Sequence, residues 1–209
     1  MPYRIKEIYF TQQGEGKNTG KDFVFVRFSG CNLWRGKEKN RESAICKFCD
    51  TDFYGVDGIN GGIYEKKDLV KMIKSLWIAD TTPIRVVLTG GEPLLQLDDE
   101  LIQELKKEDI YIAVETNGTI KAPEGLDWIC MSPKAGTEIK LKSGSEIKIV
   151  YPQKNLDPKK FSDLDFTNFF IQPMDSKELE SNVAKSIRFC MKNPKWRLSL
   201  QAHKILGIR

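Results

Sequence analysis

The chain has 209 residues, of which 40% are hydrophobic, 10% aromatic and 30% charged, a balance that excludes disordered, fibrous and disulfide-scaffold classes and suits one sizeable core. Its 33 basic and 29 acidic residues are interspersed and leave a formal charge of only +4, too slight and too mixed to point to direct nucleic-acid binding. There is no apolar run long enough to span a bilayer, and Lys6 and Glu7 stand where a secretion signal would need its apolar core, so a single cytosolic domain over residues 1–209, off the membrane, is expected.

In chain order, the first feature is TQQGEG, followed by GEGKNTGKD at residues 14–22. The latter resembles a phosphate-binding loop, but only three residues separate Gly16 from Gly20, Asp22 replaces the magnesium-binding hydroxyl, and a strand pattern follows where a helix is needed. A nucleoside-triphosphate site is therefore excluded. FVFVRFSG at residues 23–30 predicts a strand, and the cysteine segment comes next. Helices are predicted from Glu65 (EKKDLVKMIKSLW), from Asp98 (DDELIQELKKE) and from Ser176 (SKELESNVAKSIRFCMKN), the last started by Ser176 and Leu179 and closed by Pro194. Strands are predicted at IRVVLTGG, IYIAVETNG, LDWICMSP, SEIKIVYP, TNFFIQPM and RLSLQAH. Alternating strands and helices specify a parallel sheet with crossovers. The connections after Leu126 are short and weakly helical, too few for eight complete units, so the expected α/β fold is a partial, shortened (β/α) barrel.

The strand bodies end in TGGE, ETNG, SPK, QPMD and QAHK. Any one such cluster could be a turn; five in succession, at the edge where parallel sheets bind ligands, point to a shared site.

Cys130 and Cys190 lie among large apolar neighbours and read as buried hydrophobes. Cys31, Cys46 and Cys49 lie among polar residues, and the last two form a C-x-x-C. Zinc would want a fourth ligand, and the sole histidine, His203, is distant in sequence; a redox pair would leave Cys31 idle; an iron–sulfur cluster on three thiolates would leave one iron open. The cysteines alone leave all three readings standing. In TGGEP, Thr89 to Pro93, paired glycines allow close backbone approach to a ligand, and Glu92 is placed to accept hydrogen bonds from an amine.

Three cysteines after the first strand, with GGE after the next, resemble the radical S-adenosylmethionine superfamily. There, three cysteines hold a [4Fe-4S] cluster whose open iron takes the methionyl amine and carboxylate of S-adenosylmethionine, and Phe48 matches the aromatic position near the adenine. The usual spacing is C-x3-C-x2-C, whereas fourteen residues separate Cys31 from Cys46 here. That departure is similar to the 7-carboxy-7-deazaguanine synthase family, and the resemblance spans essentially the whole chain through TQQGEG, FVRFSGCNLW, CKFCDTDF, TGGEP, ETNG, SPKA, QPMD and QAHKILGIR.

The resemblance implies radical ring contraction of 6-carboxy-5,6,7,8-tetrahydropterin to 7-carboxy-7-deazaguanine with loss of ammonia, a step toward queuosine and related 7-deazapurines. It assigns the cluster to Cys31, Cys46 and Cys49, and Mg2+ to Thr51. It assigns the substrate to Gln12, Gln13, Gly14, Glu15, Arg27, Thr89, His203 and Arg209. It assigns S-adenosylmethionine to Phe48, Cys49, Asp50, Gly91, Glu115, Ser132, Pro133, Lys134, Gln172, Pro173, Met174 and Asp175. Family membership also implies a homodimer. The basic run Arg35, Lys37, Lys39 and Arg41 is a solvated loop or a docking surface for an acidic electron donor such as flavodoxin. The rival readings are a glycyl-radical activating enzyme, which also uses TGGEP, and a zinc-stabilised binding module.

Overall fold

The computed structural model describes residues 2–80 and 83–208. β1 (Tyr3–Gln12) pairs antiparallel with both β2 (Asp22–Phe28) and the short β3 (Gly62–Tyr64). β4 (Arg85–Gly90), β5 (Tyr111–Thr116), β6 (Trp128–Met131), β7 (Ser143–Tyr151), β8 (Asp165–Pro173) and β9 (Arg197–Leu198) then follow β2 in parallel, giving one nine-stranded sheet of order β3-β1-β2-β4-β5-β6-β7-β8-β9. The sheet runs from edge β3 to edge β9, a partial barrel of the expected kind.

Three crossovers are helical: α1 (Lys66–Leu76), α2 (Asp99–Lys107) and α3 (Leu179–Lys192). The Asp98 carboxylate caps α2 by accepting from the Leu101 N–H at 3.0 Å. α3 starts at Leu179, later than expected, because the Ser176 hydroxyl accepts from the Glu178 N–H and forms a turn ahead of the helix. Between β7 and β8 the chain makes only a one-turn 3₁₀ helix, Pro158–Phe161, in keeping with the weak helical pattern there.

β1 and β3 are not among the expected strands, and the C-terminal segment departs from expectation too. β1 has no clean alternation, because a register shift between Ile5 and Glu7 lets Ile5 and Ile8, three residues apart, share the buried face. RLSLQAH is not strand throughout: pairing stops at Leu198, and a short helix, α4 (Ala202–Leu206), carries His203.

The sheet has two contrasting faces. Val24, Val26, Val86, Leu88, Ile112 and Val114 point outward against α1 and α2, while Ile147, Ile149, Phe169 and Ile171 build a second outer core. The alternate positions point inward. Phe23, Phe25, Val87 and Ala113 form an apolar floor, and nearer the strands' carboxyl ends the same face carries Arg27, Thr89, Glu115, Lys148 and Gln172. A period of two thus converts a hydrophobic sheet into a polar basin at one end.

Candidate active site

The basin is a cavity of about 570 Å3. Its wall includes all three clustered cysteines and residues from every expected strand-end segment: Thr89 to Gly91, Glu115 to Asn117, Ser132 with Lys134, Gln172 to Asp175, and Gln201 with His203. Gln12 to Glu15, Arg27, Phe48, Asp50 and Thr51 complete the set. Pro133 is not part of this wall; it is buried, and its carbonyl accepts from Gln153. Arg209 lies outside the described residues.

Glycine is required where β4 meets the cysteine arm. Gly90 has φ +126°, and a Cβ there would fall 2.2 Å from the Phe28 carbonyl; one at Gly91 would fall 2.1 Å from the Gly30 carbonyl and 2.8 Å from Cys31 Cβ. Glu92 does not meet an amine in the cavity as the sequence led us to expect. It is fully buried, and its carboxylate accepts from the Leu94 N–H, the Thr116 hydroxyl and the Asn117 N–H at 3.1, 2.8 and 2.7 Å. Burial pushes its carboxyl up, against the pull of those donors. Its work is to tie the β4 loop to the end of β5. Asn117 then donates to Asn32, next to Cys31, extending the tie to the cysteine arm.

Residues from the β1, β5, β7 and β8 ends form a second network around Lys148, which sequence reasoning missed. This buried ammonium lies 2.6 Å from Glu15 and 3.4 Å from Glu115. Glu15 also accepts from Gln172 and Gln201, and Glu115 from Gln13 at 3.0 Å. Burial opposes ionisation of Glu15, but Lys148 and the amide donors outweigh it and lower its carboxyl from 4.5 to about 2. Burial likewise opposes the charge on Lys148, and the carboxylates around it push it well up. Lys148 alternates with the outward-facing Ile147 and Ile149 inside SEIKIVYP, so it was readable as an inward-facing residue from period two alone. Arg27 is held by Glu7 at 2.8 Å and the Tyr9 hydroxyl at 3.1 Å. A guanidinium has five N–H donors, so those contacts leave capacity for a ligand carboxylate.

Opposite stand the thiols. Cys46 donates to Cys49, which lowers Cys49 to about 6 and, with burial, pushes Cys46 up; burial also pushes Cys31 up. The pair thus favours the thiolate on Cys49 over that on Cys46, and the thiolate is the form in which a thiol binds metal. Lys134, held by the carbonyl and hydroxyl of Ser132, adds positive charge and lies 5.9 Å from the Phe48 ring centroid. The Trp34 indole N–H is buried in the same region with no hydrogen-bond partner among the described residues.

Among the described residues no three Cys, His, Asp or Glu side chains could together hold one metal ion. Three thiols on one cavity wall, beside an orphaned donor and a lysine, fit a polynuclear cluster, in which each iron takes its own thiolate.

The C-terminal helix closes the remaining side. A Cβ at Gly14 would fall 2.3 Å from His203 Nδ1, the Ala202 N–H donates to the Gly14 carbonyl, and Lys204 binds Asp50 at 2.5 Å and Asp175 at 2.6 Å. His203 is thereby brought to the cavity although it sits far from the cysteines in sequence.

Comparison with known proteins gives matches over the full chain. A family model of the radical SAM superfamily matches residues 40–155, beginning inside the long cysteine spacer. The 7-carboxy-7-deazaguanine synthase of Bradyrhizobium diazoefficiens is 54% identical over 210 residues, and that of Caulobacter vibrioides 50% over 209, each alignment covering 100% of both chains. Among solved structures, the crystal structure of QueE from Escherichia coli superposes with a TM-score of 0.73 at 25% identity, covering 97% of this chain and 95% of that one.

Proposed function

The chain belongs to the 7-carboxy-7-deazaguanine synthase family of the radical S-adenosylmethionine superfamily, and on that premise we propose that it contracts the ring of 6-carboxy-5,6,7,8-tetrahydropterin to 7-carboxy-7-deazaguanine, releasing ammonia, in 7-deazapurine biosynthesis. The observation that carries this reading is the convergence of Cys31, Cys46 and Cys49 with five strand-end segments on one cavity. Neither a glycyl-radical activating enzyme nor a zinc-stabilised module is favoured, because the synthases match from end to end.

The family implies a [4Fe-4S] cluster and S-adenosylmethionine, which when bound supply the radical that starts the reaction. In our assignment Cys31, Cys46 and Cys49 hold the cluster. Phe48, Asp50, Gly91, Ser132, Lys134 and Gln172 to Asp175 line the cofactor's side, and the hydroxyl and backbone of Ser132 keep Lys134 aimed there. Glu115 stands between the two sides, with one carboxylate oxygen engaged by Gln13 and Lys148.

On the substrate side, Arg27 takes the pterin carboxylate, pre-positioned by Glu7 and Tyr9. Gln12 to Glu15, Thr89, His203 and the C-terminal Arg209 complete that side. Lys148 keeps Glu15 ionised and lies against Glu115 as well, and the two carboxylates act as hydrogen-bond acceptors for N–H groups of the substrate. Thr51 is a Mg2+ ligand in this proposal; a hydroxyl alone is a weak one, so the ion binds together with substrate oxygens.

The chain acts as one domain over residues 1–209, as a cytoplasmic homodimer. An acidic, flavodoxin-like donor docks on the exposed Arg35, Lys37 and Lys39, so its reduction rate falls with added salt.

The test is anaerobic incubation of the reconstituted chain with the carboxypterin, S-adenosylmethionine and a reductant, with products followed by mass spectrometry. Carboxydeazaguanine formed only in the complete mixture is the expected outcome. Consumption of S-adenosylmethionine with no deazaguanine formed would refute the assignment.

A further inference from the structure

The cysteine spacer contains one side chain whose bonds reach all three arms of the thiol site. Arg41 stacks on the Trp34 ring, 4.0 Å from its centroid, in the arm that follows Cys31. Within the spacer its Nε and Nη2 both donate to the Glu38 carboxylate, at 2.7 and 2.5 Å. Its Nη1 donates to the Lys47 and Cys49 carbonyls at 3.0 and 3.1 Å, in the C-x-x-C arm. Arg41 is therefore committed inward, unlike the neighbouring exposed Arg35, Lys37 and Lys39 that share its place in the basic run. A flexible ammonium could not copy this, because two parallel carboxylate bonds, two carbonyl bonds and ring stacking together require a planar fork.

Among the described residues the spacer is tied to the backbone of the first arm by the Ile45 and Cys46 N–H groups, which reach the Leu33 carbonyl at 3.1 and 3.4 Å. Both ties fall on the Cys46 side, and Arg41 alone among these contacts also grips the backbone at Cys49. We propose that Arg41 is a positioning residue for the cluster, the means by which the fourteen-residue spacer sets Cys46 and Cys49 against Cys31.

This inference rests on the cluster assignment above. The test compares anaerobically reconstituted wild-type chain with Arg41→Lys, Arg41→Gln and, as a charge control from the same loop, Lys39→Gln. Iron and sulfide content, resistance to a chelator and the paramagnetic resonance spectrum of the reduced cluster are read for each.

Both Arg41 variants are expected to lose iron to the chelator about ten-fold faster than wild type, in the range seen when groups supporting metal ligands are removed. Their spectra are expected to shift, while Lys39→Gln matches wild type and the iron-free Arg41→Lys chain melts like the iron-free wild type. The proposal is overturned if Arg41→Lys behaves as wild type, if Lys39→Gln reproduces the loss, or if the iron-free variants melt lower in step with their iron loss. A wild-type chain that takes up no iron and sulfide would instead sink the cluster assignment itself, a distinct result.

Discussion

Removing the buried Lys148 ammonium would leave the half-buried Glu15 and Glu115 carboxylates without their shared counter-charge. Lys148→Met is therefore expected to destabilise the chain by about 3–5 kcal/mol in urea denaturation, the scale for a broken buried ion pair, and to abolish turnover. The same pair dictates a pH response. The Glu15 carboxyl is lowered from 4.5 to about 2 by folding, so its stabilisation is complete above pH 4.5 and is lost as pH falls from there toward 2. Glu15→Gln should flatten that acid limb, seen as a smaller difference between denaturation midpoints at pH 6 and pH 3 than in the wild type. At this scale the sequence was partly readable. Inward positions such as Arg27 and Lys148 follow from strand alternation, but their partners do not, because Glu7 and Glu15 reach them only through pairing across the sheet and the docking of loops. Glu92 shows the converse: its motif was visible, yet whether its carboxylate met ligand or backbone depended on how deeply the β4 loop was buried.

At the element scale, α4 buries no residue and leaves Ile205 and Leu206 largely exposed, so it is held by polar contacts to Gly14, Asp50 and Asp175. Gly14→Ala would drive a methyl into His203, and Lys204→Met would release both carboxylates. Each change should raise KM for the pterin; Lys204→Met should leave the melting temperature within a few degrees, since it removes partly exposed ion pairs worth about 1 kcal/mol or less, whereas Gly14→Ala, whose Cβ would also fall 2.8 Å from the His203 backbone nitrogen, should displace α4. Hydrogen exchange should show faster labelling of residues 202–206 in both variants. The sequence pattern favoured a strand here because RLSL alternates and nothing local marks a break; the helix arises from tertiary contacts, with the Ser199 hydroxyl accepting from Gly16 and Gln201 donating to Glu15. β1 escaped notice for a related reason, its bulge, whereas α1 and α2 were evident from uninterrupted helical periodicity.

Over the whole molecule, the parallel sheet gathers the carboxyl ends of β2 and β4 to β9 on one side, and that is why motifs scattered from Cys31 to His203 share one cavity, whereas Gln12 to Glu15 follow the antiparallel β1, where Gln12 pairs with Asp22, and enter from the other end of the strands. The order of strands and the outer cores explain how the site is assembled; the fourteen-residue spacer and its Arg41 clamp explain how it is fastened to the thiols. In the proposed assignment, a trio with no fourth cysteine beside it would leave one iron of the cluster open to the cofactor. The most direct measurement is electron–nuclear double resonance on the reduced, reconstituted chain with S-adenosylmethionine carrying a 15N-labelled amine. A 15N coupling that appears with the labelled cofactor and disappears in Cys46→Ala is predicted. A chain that holds zinc without sulfide, or an iron–sulfur signal unchanged by the cofactor, would contradict the account.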